Sequence, residues 1–329
     1  MSGGGHAGIR GSGCYLPERI LSNHDFEKIV DTSDEWITTR TGIKERRIAA
    51  PGQATSDMGT IAAQRALESA GLTPNDIDLI LVATVTPDYP FPSTACLIQH
   101  KLGCREIGAF DLSAACSGFM YAISTASQFV RNGAAKNVLV VGAETLSRVT
   151  DYSDRGSAIL FGDGAGAVIV SNEFAHGEIV STEIHSDGAG FETIIVPAGG
   201  SAKPLTAEAI SAREQYMKLR GREVYKFAVS RMVELVEHAL ARHADIELGL
   251  VVPHQVNLRI IESARDRLGI TDDKLVVNIE RYGNTSAASI AIAFDEARRA
   301  GRFDACAGKL VVMCAFGAGL TWGSVALRW

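Results

Sequence analysis

The sequence predicts an α/β protein in which buried strands alternate with helices. Three observations carry that prediction: short β-branched apolar runs, stretches of helical period between them, and a second half of the chain that echoes the first. The runs IDLILVAT (77–84), NVLVVGA (137–143), AGAVIVS (165–171), LGLVVP (248–253) and KLVVMCA (309–315) read as strands covered on both faces. Between them, DMGTIAAQRALESAG (57–71) and REVYKFAVSRMVELVEHALARH (222–243) space their apolar residues for helices. DIDLILV (76–82) is echoed by DIELGLV (245–251), HKLG (100–103) by DRLG (266–269), and FVRNG (129–133) by ARRAG (297–301). An ordered echo of this kind predicts a duplicated α/β unit, residues 1–173 and 174–329, with a less regular stretch at about 172–221 joining the copies.

Composition bounds the function. The chain has 329 residues, 46% hydrophobic and 21% charged, with a mean hydropathy of +0.09, which suits one large domain or two packed closely together. No run approaches the roughly 18 apolar residues of a membrane span, and MSGGGHAGIRGSG lacks the apolar segment of a secretory signal, so a cytoplasmic protein without membrane contact is expected. Cys14, Cys96, Cys104, Cys116, Cys306 and Cys314 form no C-x-x-C pair and have no histidine at ligand spacing. Neither a metal site nor a disulfide framework is expected. A net charge of -6 argues against a nucleic-acid partner.

Within DLSAACSGFM (111–120), Cys116 sits among Ser, Ala and Gly where a strand passes into a helix. A cysteine is most often a small buried filler. A nucleophile needs small neighbours, so that a substrate can approach, and a helix start that favours its thiolate. The repeat sharpens the choice. The offset between FVRNG and ARRAG maps Cys116 onto Asn284, in RYGNTSAAS (281–289), at the corresponding strand-to-helix turn. Two helix N-termini can then converge on one pocket, where their unpaired N–H groups favour a thiolate or a developing oxyanion. His254, in VVPHQVNLRII (251–261), follows a buried strand, and ligand sites of open α/β sheets lie at strand C-termini.

At these residues the sequence resembles the β-ketoacyl-acyl-carrier-protein synthase III family of the thiolase superfamily. The resemblance runs through DTSDEWITTRTGIKERRI (31–48), DLSAACSGF, DRGSAILFGDGAGA (154–167), PHQVNLRII, YGNTSAAS and AFGAGLTWGS (315–324). It implies a thiolase-like five-layered αβαβα sandwich of two duplicated halves, a homodimer, and a catalytic set of Cys116, His254 and Asn284. It further implies the initiation of fatty-acid synthesis. An acyl-CoA would acylate Cys116, and a decarboxylative Claisen condensation with malonyl-acyl-carrier-protein would follow, with coenzyme A as substrate and no cofactor. The oxyanion would lie on the backbone N–H groups of Cys116 and Ala318, the latter standing where a third glycine is common in the family.

The same resemblance assigns Trp36, Arg40, Arg155, Gly156 and Asn257 to coenzyme A. Gln255, Val256, Asn257, Leu258 and Arg259, with Lys226, Arg265 and Arg267, read as a basic carrier-protein surface interrupted by Asp266. Leu146, Phe161 and Ile194 would line the acyl pocket, and Phe91 would cap that of the partner subunit. GDGAGA (162–167) matches neither phosphate-loop pattern and reads as close backbone packing. Three rivals are a secondary-metabolite ketosynthase of the same fold, a plain thiolase using Cys314, and a silent carrier-binding scaffold. 3-Hydroxy-3-methylglutaryl-CoA synthase would carry glutamate at Asn284.

Overall fold

The computed structural model describes residues 5–329. Nine strands form its main sheet: β1 (Gly8–Tyr15), β2 (Leu79–Ala83), β3 (Gly108–Leu112), β4 (Asn137–Glu144), β5 (Gly164–Ser171), β6 (Glu178–Ser186), β7 (Leu248–Pro253), β8 (Leu310–Gly317) and β9 (Thr321–Arg328). The five apolar runs all form strands. Their spatial order is β7-β8-β9-β6-β1-β5-β4-β2-β3, and the seam between β6 and β1 is a single pairing of Gly8 with Glu178.

The two sides of the seam follow one pattern. In each, a parallel pair (β2 with β4, β7 with β8) continues through two antiparallel neighbours (β5 and β1, β9 and β6). Where β3 lies parallel on β2, a lone parallel bridge joins Leu275 to Val251 of β7. The stretch at 172–221, expected to be an irregular connection, holds the nine-residue β6, which packs against β9 and belongs to the sheet. Its polar sequence EIVSTEIHS and partly exposed face hid it from a hydrophobicity reading.

Seven helices of at least eight residues make the other layers: α1 (Asp34–Thr41), α2 (Thr55–Ala70), α3 (Thr94–Leu102), α4 (Gly118–Arg131), α5 (Gly221–Arg242), α6 (Leu258–Leu268) and α7 (Ala288–Arg299). α2 and α3 cover one outer face, with Met58, Ala62 and Ile98 packed on Ile80, Val82 and Val141. α5 and α6 cover the other, through Met232, Leu235 and Ile261 on Val251 and Val312. α4 and α7 fill the middle, where Phe119 and Phe294 are fully buried between the two sides of the seam. The layers therefore run α, β, α, β, α. Truncating either phenylalanine to alanine would cost about 3–5 kcal/mol.

Close approach of the middle layer to the sheet explains the glycine-rich motif. A Cβ on Gly166 would stand 2.5 Å from Ala291 Cβ, and one on Gly142 would stand 2.4 Å from the Ala287 carbonyl oxygen. Glycine there lets α7 settle onto β4 and β5 at its N-terminal end, where the site is built.

Candidate active site

The N-termini of α4 and α7 meet, as a Cβ on Gly118 would lie 3.9 Å from that of Ala287. Beside this junction, Cys116, His254 and Asn284 line one cavity of about 390 Å³ with mostly apolar walls.

Cys116 lies on the 3-10 turn Ala115–Ser117 between β3 and α4, after an alanine held at φ +47°. A non-glycine residue in the left-handed region costs about 1–2 kcal/mol, so the surrounding contacts must hold it there. Ser117 and Thr321 hydroxyls supply them, bonding each other at 2.8 Å and both reaching the Ala114 carbonyl. Thr321 also donates to the Ala318 carbonyl at 2.9 Å, which ties the cysteine turn to the AFGAG turn. A Cβ on Gly317 would meet Cys116 N at 2.7 Å, so the two backbones run in contact. Gly319, at φ +137°, takes the unusual conformation of that turn, and Ala318 keeps an ordinary one.

His254 continues the ladder past Pro253, its N–H donating to the Cys314 carbonyl at 2.8 Å. Nδ1 lies 2.6 Å from Ser289 Oγ on α7. That hydroxyl also accepts from the Gln255 N–H, at 3.4 Å. A Ser289 proton directed to Nδ1 would place the imidazole proton on Nε2. Nε2 is buried with no partner among the described residues, beside the cavity. Phe316 packs edge-on against the ring, at 5.6 Å between centroids. Burial pulls this histidine down to about 3, so it is neutral at physiological pH.

Asn284 is held by backbone bonds to the loop before β5, its N–H donating to Leu160 O at 2.8 Å and its carbonyl accepting from Gly162 N at 3.0 Å. Its Oδ1 accepts from Ser286 N at 2.8 Å, which fixes the amide and leaves the NH₂ group to donate elsewhere. The segment before it was expected to be a strand and is instead the helical turn Ile279–Tyr282. Only the Leu275 bridge marks the strand position there.

The helix start was expected to favour the thiolate of Cys116. Burial pushes its thiol up to about 12, against a favourable contact from Ser286, and the Glu144 carboxyl adds to the rise. That shift favours the neutral thiol. Ser286, Ser289 and Glu144 were not singled out from the sequence, although both serines stand within YGNTSAAS.

Arg40 and Arg155 hold their guanidinium carbons 4.5 and 4.7 Å from the Trp36 ring centroid. The three residues expected to grip coenzyme A stand together. Gly156 is exposed beside Arg155 at the start of a short helical turn capped by Asp154. Asn257 lines the cavity, caps α6 through Arg259 N at 3.0 Å and donates to Arg40 O at 3.1 Å.

Two expectations for the carrier surface fail. Gln255 is 1% exposed, its amide spent on the Pro253 and Val276 carbonyls and the Asn278 N–H, so it cannot touch a partner. Arg265 is engaged by Asp266 and Asp272, which removes it from the free basic charge. Arg259, Lys226 and Arg267 are exposed, Leu258 packs at Gly42, and Val256 faces the cavity. Leu146, Phe161 and Ile194 line the cavity as expected, together with Met217 and Leu219, which the sequence did not reveal. Phe91 is 85% exposed and lies outside its own chain's cavity.

Family models for 3-oxoacyl-acyl-carrier-protein synthase III match residues 110–188 and, for its C-terminal part, residues 238–329. The chain belongs to the 3-oxoacyl-acyl-carrier-protein synthase III family. It is 52% identical over 327 residues to the β-ketoacyl-acyl-carrier-protein synthase III of Caldanaerobacter subterraneus subsp. tengcongensis, covering 98% of each chain. It is 51% identical to that of Thiobacillus denitrificans, with the same coverage. The crystal structure of the Aquifex aeolicus synthase III superposes with a TM-score of 0.89 at 47% identity, over 98% of this chain and 100% of that one. A synthase III of this family is a condensing acyltransferase, and the fold is the thiolase-like one. Among the described residues no His, Cys, Asp and Glu cluster could hold a metal ion, and no helix is long and apolar enough to cross a membrane.

Proposed function

We propose that this synthase III condenses an acyl-CoA primer with malonyl-acyl-carrier-protein through Cys116, His254 and Asn284, releasing a 3-oxoacyl-acyl-carrier-protein, coenzyme A and carbon dioxide. The observation that carries the reading is the convergence of a thiol, an unpartnered imidazole nitrogen and a fixed amide on one apolar cavity at two helix N-termini.

Coenzyme A enters past Trp36, Arg40 and Arg155, with Gly156 at the rim and Asn257 beside the pantetheine arm. Cys116 attacks the thioester, and the oxyanion rests on the Cys116 and Ala318 N–H groups, which the Thr321 bonds hold in place. After coenzyme A leaves, the malonyl arm enters by the same route, with the acidic carrier on Arg259, Lys226 and Arg267. Loss of carbon dioxide leaves an enolate whose oxygen accepts from His254 Nε2–H and Asn284 Nδ2–H. Each such donor contributes about 3 kcal/mol. A neutral histidine suits this work, because it donates a hydrogen bond without surrendering a proton to the enolate. The carbanion then attacks the acyl carbonyl on Cys116.

We further propose a cytoplasmic homodimer with the halves 1–173 and 174–329 as the duplicated unit. Among the described residues β3 pairs with no strand but β2, and Phe110 on it is exposed, as are Tyr89 and Phe91. The test is turnover of acetyl-CoA with malonyl-acyl-carrier-protein, followed by mass spectrometry of the carrier. A four-carbon 3-oxoacyl carrier is the expected product. Bare hydrolysis of acetyl-CoA with an unmodified malonyl carrier would contradict the reading.

A further inference from the structure

Burial keeps the His254 ring neutral, so it carries a single proton, on Nδ1 or on Nε2. Only the second tautomer presents a donor to the cavity. The bonds around Nδ1 distinguish the two. Nδ1 lies 2.6 Å from Ser289 Oγ, and both residues are buried. Ser289 is the second residue of α7, and among the described residues its hydroxyl has one other side-chain bond, accepted from the Gln255 N–H at 3.4 Å. If Nδ1 carried the proton, the Ser289 oxygen would accept from both neighbours and its own proton would have no acceptor. A buried hydroxyl in that state is costly, whereas donation to Nδ1 satisfies the hydroxyl and the ring together. Gln255 holds the other end of this chain. Its amide donates to Pro253 O at 2.9 Å and to Val276 O at 3.0 Å, and accepts from the Asn278 N–H at 3.0 Å. Those three bonds clamp the peptide after His254 between the end of β7 and the segment 276–278, which fixes the Gln255 N–H beside Ser289.

We propose that Ser289 is a positioning residue for the condensation: its hydroxyl donates to His254 Nδ1 and so keeps the imidazole proton on Nε2, at the cavity. The inference rests on the reading of His254 and Asn284 as the donors to the enolate oxygen. Ser289 touches no substrate and acts through His254. One short segment then serves both donors. The Ser286 N–H occupies Asn284 Oδ1 at 2.8 Å, and the Ser289 hydroxyl, three residues further on, occupies His254 Nδ1. The acceptor atom of each side chain is taken by this segment, and the N–H of each is left for a single substrate oxygen. An imidazole with its proton on Nδ1 would instead turn the Nε2 lone pair toward the enolate oxygen, replacing an attraction by a repulsion. Phe316, edge-on to the ring at 5.6 Å between centroids, packs against the imidazole as well. Gln255 and Ser289 therefore orient a donor whose own exposed surface is almost nil, and neither needs to gain or lose a proton during turnover.

The test reads the tautomer and the two half-reactions separately. Nitrogen NMR spectra of histidine-labelled protein, with the His254 signals identified by their loss in His254→Ala, should show a protonated Nε2 and a bare Nδ1 in the wild type. Ser289→Ala should lose that single tautomer. It should also release carbon dioxide from malonyl-acyl-carrier-protein about tenfold more slowly or worse, while acylation of Cys116 by acetyl-CoA stays within about twofold of wild type. A proton on Nδ1 in the wild type overturns the inference, as does a Ser289→Ala protein with the wild-type tautomer or the wild-type rate of decarboxylation. A folded Ser289→Ala protein that loses acylation as fully as decarboxylation also overturns it, because the damage is then general to the site. If Ser289→Ala does not fold, the wild-type spectrum alone decides. A His254→Ala protein that decarboxylates the malonyl carrier at the wild-type rate contradicts the proposed function instead.

Discussion

At the scale of single residues, the proposed function divides the labour between a thiol and two donors. His254→Ala and Asn284→Ala should each retain acylation of Cys116 and lose about a hundredfold or more in malonyl decarboxylation, read as carbon dioxide release. An Asn284→Ala protein that fails to acylate as completely as Cys116→Ala would contradict that division. Glu144 supplies a second test, through stability. Its folded value of about 7 lies above the ordinary 4.5. The unfolded chain therefore releases this proton first, and the wild type loses stability as pH rises from about 4.5 to 7. The stability of Glu144→Gln relative to wild type should grow across that window, by at most about 1.4 kcal/mol per pH unit, and then level off. Denaturant melts at a series of pH values measure this, and a constant difference would be contrary. Cys116, His254 and Asn284 were legible because each stands at an element end within a small-residue motif. Glu144 was not, because in the sequence it is only the polar end of a buried strand. Its weight comes from burial and from contacts with residues far along the chain.

At the scale of elements, the apolar runs and the helical periods formed the strands and helices expected, to within a few residues. The strands missed were those with weak apolar patterning: glycine-rich β1 (GIRGSGCY), polar β6 and mixed β9 (TWGSVALR). Their stability comes from neighbouring strands and helices, which no local window contains. Gln255 misled for a related reason, since a polar residue beside exposed Arg259 gives no local sign that three backbone groups bury it. α6 offers the element-scale prediction. Asn257 caps it and fastens it to the end of α1 at Arg40, next to the Trp36 cluster. Asn257→Ala should cost about 1 kcal/mol in a denaturant melt and raise the KM for acyl-CoA more than it lowers kcat. An unchanged KM would separate α6 from the coenzyme A route.

At the scale of the whole molecule, two matching sheet halves enclose α4 and α7 and bring two helix starts to one cavity. The internal echo pointed to that arrangement, whereas the seam between β6 and β1 could not be read from it. The open edge of β3 and the outward Phe91 lead to a prediction for the assembly. Ala109→Pro, in the middle of β3, should shift the protein from dimer to monomer in sedimentation and lower turnover. Phe91→Ala should keep the dimer and move primer preference from acetyl-CoA toward longer chains, since a fixed ring excludes methylenes that would each contribute about 0.8 kcal/mol on burial. A wild-type enzyme that used dodecanoyl-CoA as readily as acetyl-CoA would remove Phe91 from that role.

All of this depends on which sulfur carries the acyl group. Mass spectrometry of peptides from the enzyme trapped with acetyl-CoA in the absence of malonyl-acyl-carrier-protein measures that directly. A single acetyl group on the peptide containing Cys116 is the predicted result. An acetyl group on Cys96 or Cys314, with Cys116 unmodified, would contradict it.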